Sequence, residues 1–205
     1  MPQLNLPESL RRRILLDMYS TADELDWEFL GNPGKTAQYR RWFDASEIGG
    51  ELRRFASDQD VRVWIKDVPM KEYARAHEGI GNFVPYVRRR FRGADEIVQF
   101  FCGADWSVVR DSVEGKPNHC HATDGKATRY ICWGKAGVLK DLIWAALNEG
   151  IDSPTRPGVV ITTRDGETIP QRARERHALL ANRCGVDLDH LHRTMIDNPD
   201  ILTDR

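Results

Sequence analysis

The chain has 205 residues, 30% of them charged and 40% hydrophobic, with a formal net charge of −1. This length and balance fit one medium-sized soluble protein with a sizeable core and exclude a mostly disordered chain. Near-neutrality also means that any nucleic-acid partner must meet a local basic patch, because the global field does not attract phosphate.

No apolar run approaches the roughly 20 residues needed to cross a bilayer, and MPQLNLPESLRRRILL lacks the long apolar segment of a secretory signal. A cytoplasmic protein with no membrane partner is expected. Cys102, Cys120, Cys132 and Cys184 are too few and too scattered for a disulfide framework, so reduced thiols are expected.

In chain order, Pro7 to Phe29 reads as helix, with Leu10, Ile14, Leu15, Met18 and Leu25 as its apolar stripe and Arg11 to Arg13 on the exposed side. Gly31-Asn32-Pro33-Gly34 breaks the chain, and a second helical stretch runs from Thr36 to Phe55 with an interruption at Gly49-Gly50. Val61 to Val68, VRVWIKDV, alternates and predicts a strand ended by Pro69. Met70 to Phe91 predicts a mostly helical connection that finishes in Arg88-Arg89-Arg90 and Arg92, cations suited equally to a helix C-terminus and to phosphate. Ile97 to Phe101 predicts a short strand. Ala136 to Glu149 is the strongest helical pattern, capped by Gly150, and Val159 to Thr163 is an apolar strand of the kind buried in a sheet. Gln171 to Cys184 predicts a charged helix and Val186 to Ile196 a last short one. Trp64, Trp106, Trp133 and Trp144 sit inside apolar patterns and are expected in the core.

The resulting class is α+β: a mainly antiparallel sheet flanked by helices, in the central order helix, three to four strands, helix, strand, with helical terminal segments. The segments are 1–56, a helical N-terminal part; 57–168, the α/β core; and 169–205, a helical C-terminal part, together one structural domain.

Most residues able to do chemistry lie between Phe100 and Lys135. Asp124-Gly125 predicts a two-residue hairpin turn, which would put Thr123 opposite Lys126, His121 opposite Thr128 and His119 opposite Tyr130. Alternation then gives His119, His121, Thr123, Lys126, Thr128, Tyr130 and Cys132 one shared face, too polar for a plain core.

Two resemblances arise here. Asp105, followed by Glu114-Gly115-Lys116, resembles the Asp…Glu-X-Lys signature of the restriction-endonuclease-like nucleases, whose order of elements is also similar. That resemblance implies Mg²⁺ or Mn²⁺ held by Asp105 and Glu114 against a scissile phosphate, with Lys116 steadying the attacking water. Asn118 to Arg129, NHCHATDGKATR, with the following helix, resembles the ββα-metal segment of the recombination endonuclease family across residues 102–147. It implies His119 as general base and His121 as its companion, with Cys102 and Cys132 at two structural zinc positions. Asn118, Asp105, Lys135 and Ala136 depart from that family's metal and zinc residues. A third arrangement, Zn²⁺ on His119, His121 and Cys132, shares the same face.

Elsewhere, Arg172 to His177 has the Arg-X4-His spacing used by some helical ribonucleases, though a solvated helix explains it, and His190 and His192 read as surface residues. The function expected is therefore metal-dependent cleavage of DNA or RNA phosphodiesters by His119, His121, Lys116, Asp105 and Glu114. The alternative is a non-catalytic module of a larger assembly, with protein partners or a homo-oligomer.

Overall fold

The computed structural model describes residues 4–201. Its chain forms two compact units: one runs to Arg90 and resumes at Asp197, and the other spans Phe91–Ile196. The boundary expected at 56 rested on a strand at Val61–Val68, and that stretch is helical and packs in the first unit.

The first unit is helical. In α1 (Glu8–Glu24), Ile14, Leu15, Met18, Tyr19 and Ala22 are fully buried, the positions i, i+1, i+4, i+5 and i+8 that make one helix face. Pro33 lies in the first turn of α2 (Asn32–Asp44), where its missing N–H costs nothing, so the Gly-Asn-Pro-Gly break also starts the next helix. A single π turn at Ser46–Gly50 follows, and a Cβ on Gly49 would lie 1.9 Å from the Phe43 carbonyl oxygen. Only glycine lets the chain close there.

The strand expected at Val61–Val68 is α3 (Asp58–Asp67). Ser57 caps it, accepting a hydrogen bond from the Asp60 backbone N–H at 3.2 Å, and Val61, Trp64 and Ile65 bury at i, i+3 and i+4. Eight residues fit both periods; the cap upstream decides between them. Pro69 then opens α4 (Pro69–His77). The basic run ends no helix, because Arg89–Arg90 form a short strand, β1, and the Arg90 guanidinium pairs with Asn198 Oδ1 at 2.8 Å and Asp200 Oδ2 at 2.9 Å. Asn198 is buried and also donates to the Val84 and Val87 carbonyls, which ties the end of the chain into this unit.

The second unit opens with α5 (Ala94–Cys102) where a strand was expected at Ile97–Phe101. Gly93 and Gly103, both at positive φ, bracket the helix, and Ile97 and Val98 are buried side by side. Then come β2 (Ser107–Val108), β3 (Asn118–Thr123), β4 (Thr128–Gly134), α6 (Leu139–Gly150), β5 (Gly158–Thr163), α7 (Gln171–Arg183) and β6 (Asp187–His192). The sheet order is β2-β3-β4-β5-β6, antiparallel from β2 to β4 and parallel from β4 to β6. The helix expected at Val186–Ile196 is thus an edge strand. Leu188 and Leu191 fall on opposite faces of it and none of its residues is fully buried, which is why its apolar pattern is weak.

The chain is an α+β protein, as its composition and order of elements predict. Helix α5 lies over one face of the sheet, with Phe101 against Gly158, while α6 and α7 cover the other through Leu142, Ala146 and Ala181 against Tyr130, Cys132, Val159 and Ile161. Trp64 and Trp133 are in the core as expected; Trp144 is not, being 72% exposed on the outer side of α6. Among the described residues no helix is long and apolar enough to cross a membrane.

Candidate functional site

The β3–β4 hairpin closes through a four-residue loop rather than a two-residue turn. Asp124 Oδ1 accepts hydrogen bonds from the backbone N–H groups of Lys126 and Ala127, both at 2.8 Å, and Thr123 Oγ1 accepts from Gly125 and donates to Ala127 O. These bonds hold the Asp124 carboxyl below its usual range, since they favour its ionised form. Thr123 therefore pairs with Thr128, His121 with Tyr130 and His119 with Cys132. The slip from the expected register is two residues, so the shared face survives: His119, His121, Thr123, Thr128, Tyr130 and Cys132 still point the same way, and Lys126 leaves it for the loop.

Helix α6 splits that face. It covers β4, where Tyr130 and Cys132 are buried, and leaves the neighbouring strand β3 half open. His119 and His121 flank the Tyr130 ring, with centroids at 5.2 and 5.7 Å. His119 Nδ1 lies 2.9 Å from the Pro117 carbonyl oxygen, which only accepts, so Nδ1 carries the proton and the neutral ring keeps its lone pair on Nε2. That Nε2 faces Glu114 Oε2 at 4.0 Å. Glu114 is brought there by a β-bridge to His119, and Ser112 Oγ braces the same edge by accepting from the His121 N–H at 3.1 Å. Lys116 is exposed, one residue before Pro117.

Asp105 lies elsewhere. It precedes Ser107, which pairs with Thr123 at the far end of β3, whereas Glu114 pairs with His119 at the near end. Four residues of strand, about 13 Å, separate those two levels. One Mg²⁺ binds its carboxylates at about 2.1 Å, so Asp105 and Glu114 do not fit a shared divalent cation, and no step is derived through one. The thiols do not fit zinc either. Cys102 ends α5, near the Arg129 guanidinium, while Cys132 is on the α6 side with Sγ 3.3 Å from Leu142 O. Burial pushes the Cys132 thiol up to about 12, against the thiolate that zinc requires. Among the described residues no three His, Cys, Asp or Glu side chains gather as a metal-binding group.

A second polar cluster is invisible in the sequence pattern. The parallel pairing of β5 and β6 sets Thr163 beside His192, whose Nδ1 is 3.3 Å from Thr163 Oγ1 and whose Nε2 is 3.2 Å from Asp165 Oδ1. With Glu167 and Arg174 they line a cleft of about 680 Å³ at the C-terminal ends of the strands, where ligands of parallel sheets commonly sit. Reading Val186–Ile196 as helix hid this pairing. The dipeptide Asp165-Gly166, a turn signal of the Asp-Gly kind, is the one trace of it in the sequence.

Fold and site together define a two-unit α+β protein with a helical bundle and a mixed sheet layered between helices, carrying an imidazole pair on its open strand. Compared with protein-family models, curated proteins and solved structures, the chain finds no match.

Proposed function

We propose that the Phe91–Ile196 unit acts on nucleic-acid phosphodiesters, RNA in particular, through His119 and His121. The carrying observation is the placement of His119: its tautomer is set by Pro117 O and its Nε2 lone pair lies in the half-open face beside Glu114. An imidazole so held is a general base, with the Glu114 carboxylate 4.0 Å away beside it.

His121 follows at i+2 on the same face, about 6.8 Å along the strand. That separation suits in-line displacement at phosphorus, in which base and acid act on opposite sides. Neutral His119 takes the proton of the ribose 2′-hydroxyl, the 2′-oxygen bonds to phosphorus, and the 5′-oxygen leaves with a proton from a protonated His121. The products are a 2′,3′-cyclic phosphate and a 5′-hydroxyl. Lys116, exposed at the rim, supplies positive charge for the phosphate. The order α5, β2, β3, β4, α6, β5 is also the order implied by the resemblance to restriction-endonuclease-like proteins. The RNA reading needs no carboxylate pair, which favours it over Mg²⁺-dependent cleavage by Asp105 and Glu114.

The test incubates labelled RNA and DNA with the protein in EDTA, Mg²⁺ and Mn²⁺, then repeats it with His119→Ala, His121→Ala, Glu114→Ala and Asp105→Ala. Metal-free RNA cleavage, lost with either histidine and reduced with Glu114→Ala, is expected. Cleavage of DNA only with metal, lost with Asp105→Ala, would instead support the carboxylate reading; no cleavage under any condition would sink both.

A further inference from the structure

The cleft at the C-terminal ends of the parallel strands is built on β5 and β6, whereas the imidazole pair is on β3, and the reaction proposed for that pair makes no use of it. Its side chains are placed by the backbone. The Arg193 N–H donates to the Thr163 carbonyl at 2.8 Å, which fixes Thr163 beside His192. Past β5 the Glu167 N–H donates to the Arg164 carbonyl at 2.9 Å, with Gly166 at a φ of 81° that glycine adopts without strain. This turn carries Asp165 back to the His192 ring.

A carboxylate only accepts, so His192 Nε2, 3.2 Å from Asp165 Oδ1, carries the proton of the neutral ring. Nδ1 is then the acceptor for the Thr163 hydroxyl at 3.3 Å, a length common for such a bond before substrate enters. Hydroxyl, imidazole and carboxylate in this order are the parts of an activated nucleophile. The charges around them say what the cleft would take. Glu167 is matched by Lys135 at 3.5 Å and Arg164 at 3.6 Å, and Asp165 is engaged by the imidazole. Arg174, exposed on the cleft wall, forms no ion pair among the described residues and is the group left to hold an anion.

We propose that Thr163 is the nucleophile, and His192 its base, in the hydrolysis of small carboxylic esters that carry a negative charge, with Arg174 holding that charge. Asp165 is a positioning residue. The Thr163 proton passes to His192 Nδ1 as Oγ1 bonds to the acyl carbon, and the alcohol leaves with that proton. Water then gives a proton to the same Nδ1 and attacks the acyl-threonine. The carboxylic acid is released, and the proton returns to Thr163 Oγ1.

The test incubates the full-length chain with 4-acetoxybenzoate and with its neutral methyl ester, following phenol release by absorbance and acetylation by peptide mass spectrometry after an acid quench. The wild type is expected to cleave the anionic ester faster and to carry acetyl on Thr163. Thr163→Val, which keeps the side-chain shape, and His192→Gln should each lower kcat/KM about 100-fold, while Thr163→Ser should keep turnover. Asp165→Asn should lower kcat at unchanged KM, as befits a group acting through the imidazole, and Arg174→Gln should abolish the preference for the anionic ester. A wild type that cleaves neither ester overturns the proposal. Turnover undiminished in Thr163→Val, or acetyl found only on lysines, overturns it equally, and equal wild-type rates on the two esters overturn the role of Arg174.

Discussion

His177 Nδ1 lies 3.1 Å from His190 Nε2, with the ring centroids 5.4 Å apart and the planes 17° from parallel, so that helix α7 and edge strand β6 share one imidazole-to-imidazole hydrogen bond. One ring donates and the other must accept, so at least one stays neutral. Burial holds both below the usual histidine range; His177 and Arg174 push His190 down further, and Asp189 partly opposes them.

The sign of the pH dependence follows. A histidine whose folded-state pKa is depressed is protonated first in the unfolded chain. The pair's stability is therefore fully present above the unfolded value of about 6.5 and is lost as pH falls below it. Urea midpoints should drop between about pH 7.5 and about pH 5.5, and drop less in His190→Gln. An equal drop in both proteins would rule the pair out as the cause.

Arg193 is 1% exposed, with Nε 2.8 Å from Glu96 Oε2 and its guanidinium 4.3 Å above the Phe91 ring. It joins the segment after β6 to α5 within one unit. Removing one partner of a buried pair leaves the other charge without compensation, so Arg193→Ala should cost about 3 kcal/mol in chemical denaturation. Arg193→Ala combined with Glu96→Leu should recover part of that loss, and full additivity of the two changes would argue that the pair does not act as a unit.

What could be read from sequence divides along physical lines. The α6 helix and β5 strand were legible because each is long or uniformly apolar, and the hairpin face survived a wrong turn length because a two-residue slip preserves alternation. Val61–Val68 and Ile97–Phe101 were misread because short apolar runs fit both periods, and the deciding features, the Ser57 cap and the paired glycines at 93 and 103, lie outside them. Strand β6 carries only half an apolar pattern, and with it the Thr163, Asp165 and His192 cluster escaped notice. The distance between Asp105 and Glu114 depends on how Val109 to Pro117 runs back along β3, which no local signal encodes.

Gly158 begins β5 beneath α5, and a Cβ there would lie 2.3 Å from Phe101 Cε1. Gly158→Ala should cost about 1–3 kcal/mol through overpacking. Because the clash is with a single ring, adding Phe101→Leu should recover stability. If the double variant is less stable than Gly158→Ala alone, the loss comes from the β5 backbone instead. The readout is the denaturation midpoint of the single and double variants.

Four free cysteines differ sharply in access. Cys120 and Cys132 are fully buried on opposite faces of the sheet, and burial lifts both thiols to about 12, while Cys102 and Cys184 are half-exposed. Burial also raises Cys102, with Arg129 opposing it. Since the thiolate is the reactive species, a maleimide at mildly alkaline pH should modify Cys184 first and Cys102 more slowly, and should reach Cys120 and Cys132 only after denaturation. Peptide mass spectrometry over a time course reads this directly. Rapid native labelling of Cys132 would mean that α6 does not stay closed over β4, and would reopen the zinc arrangement with His119 and His121.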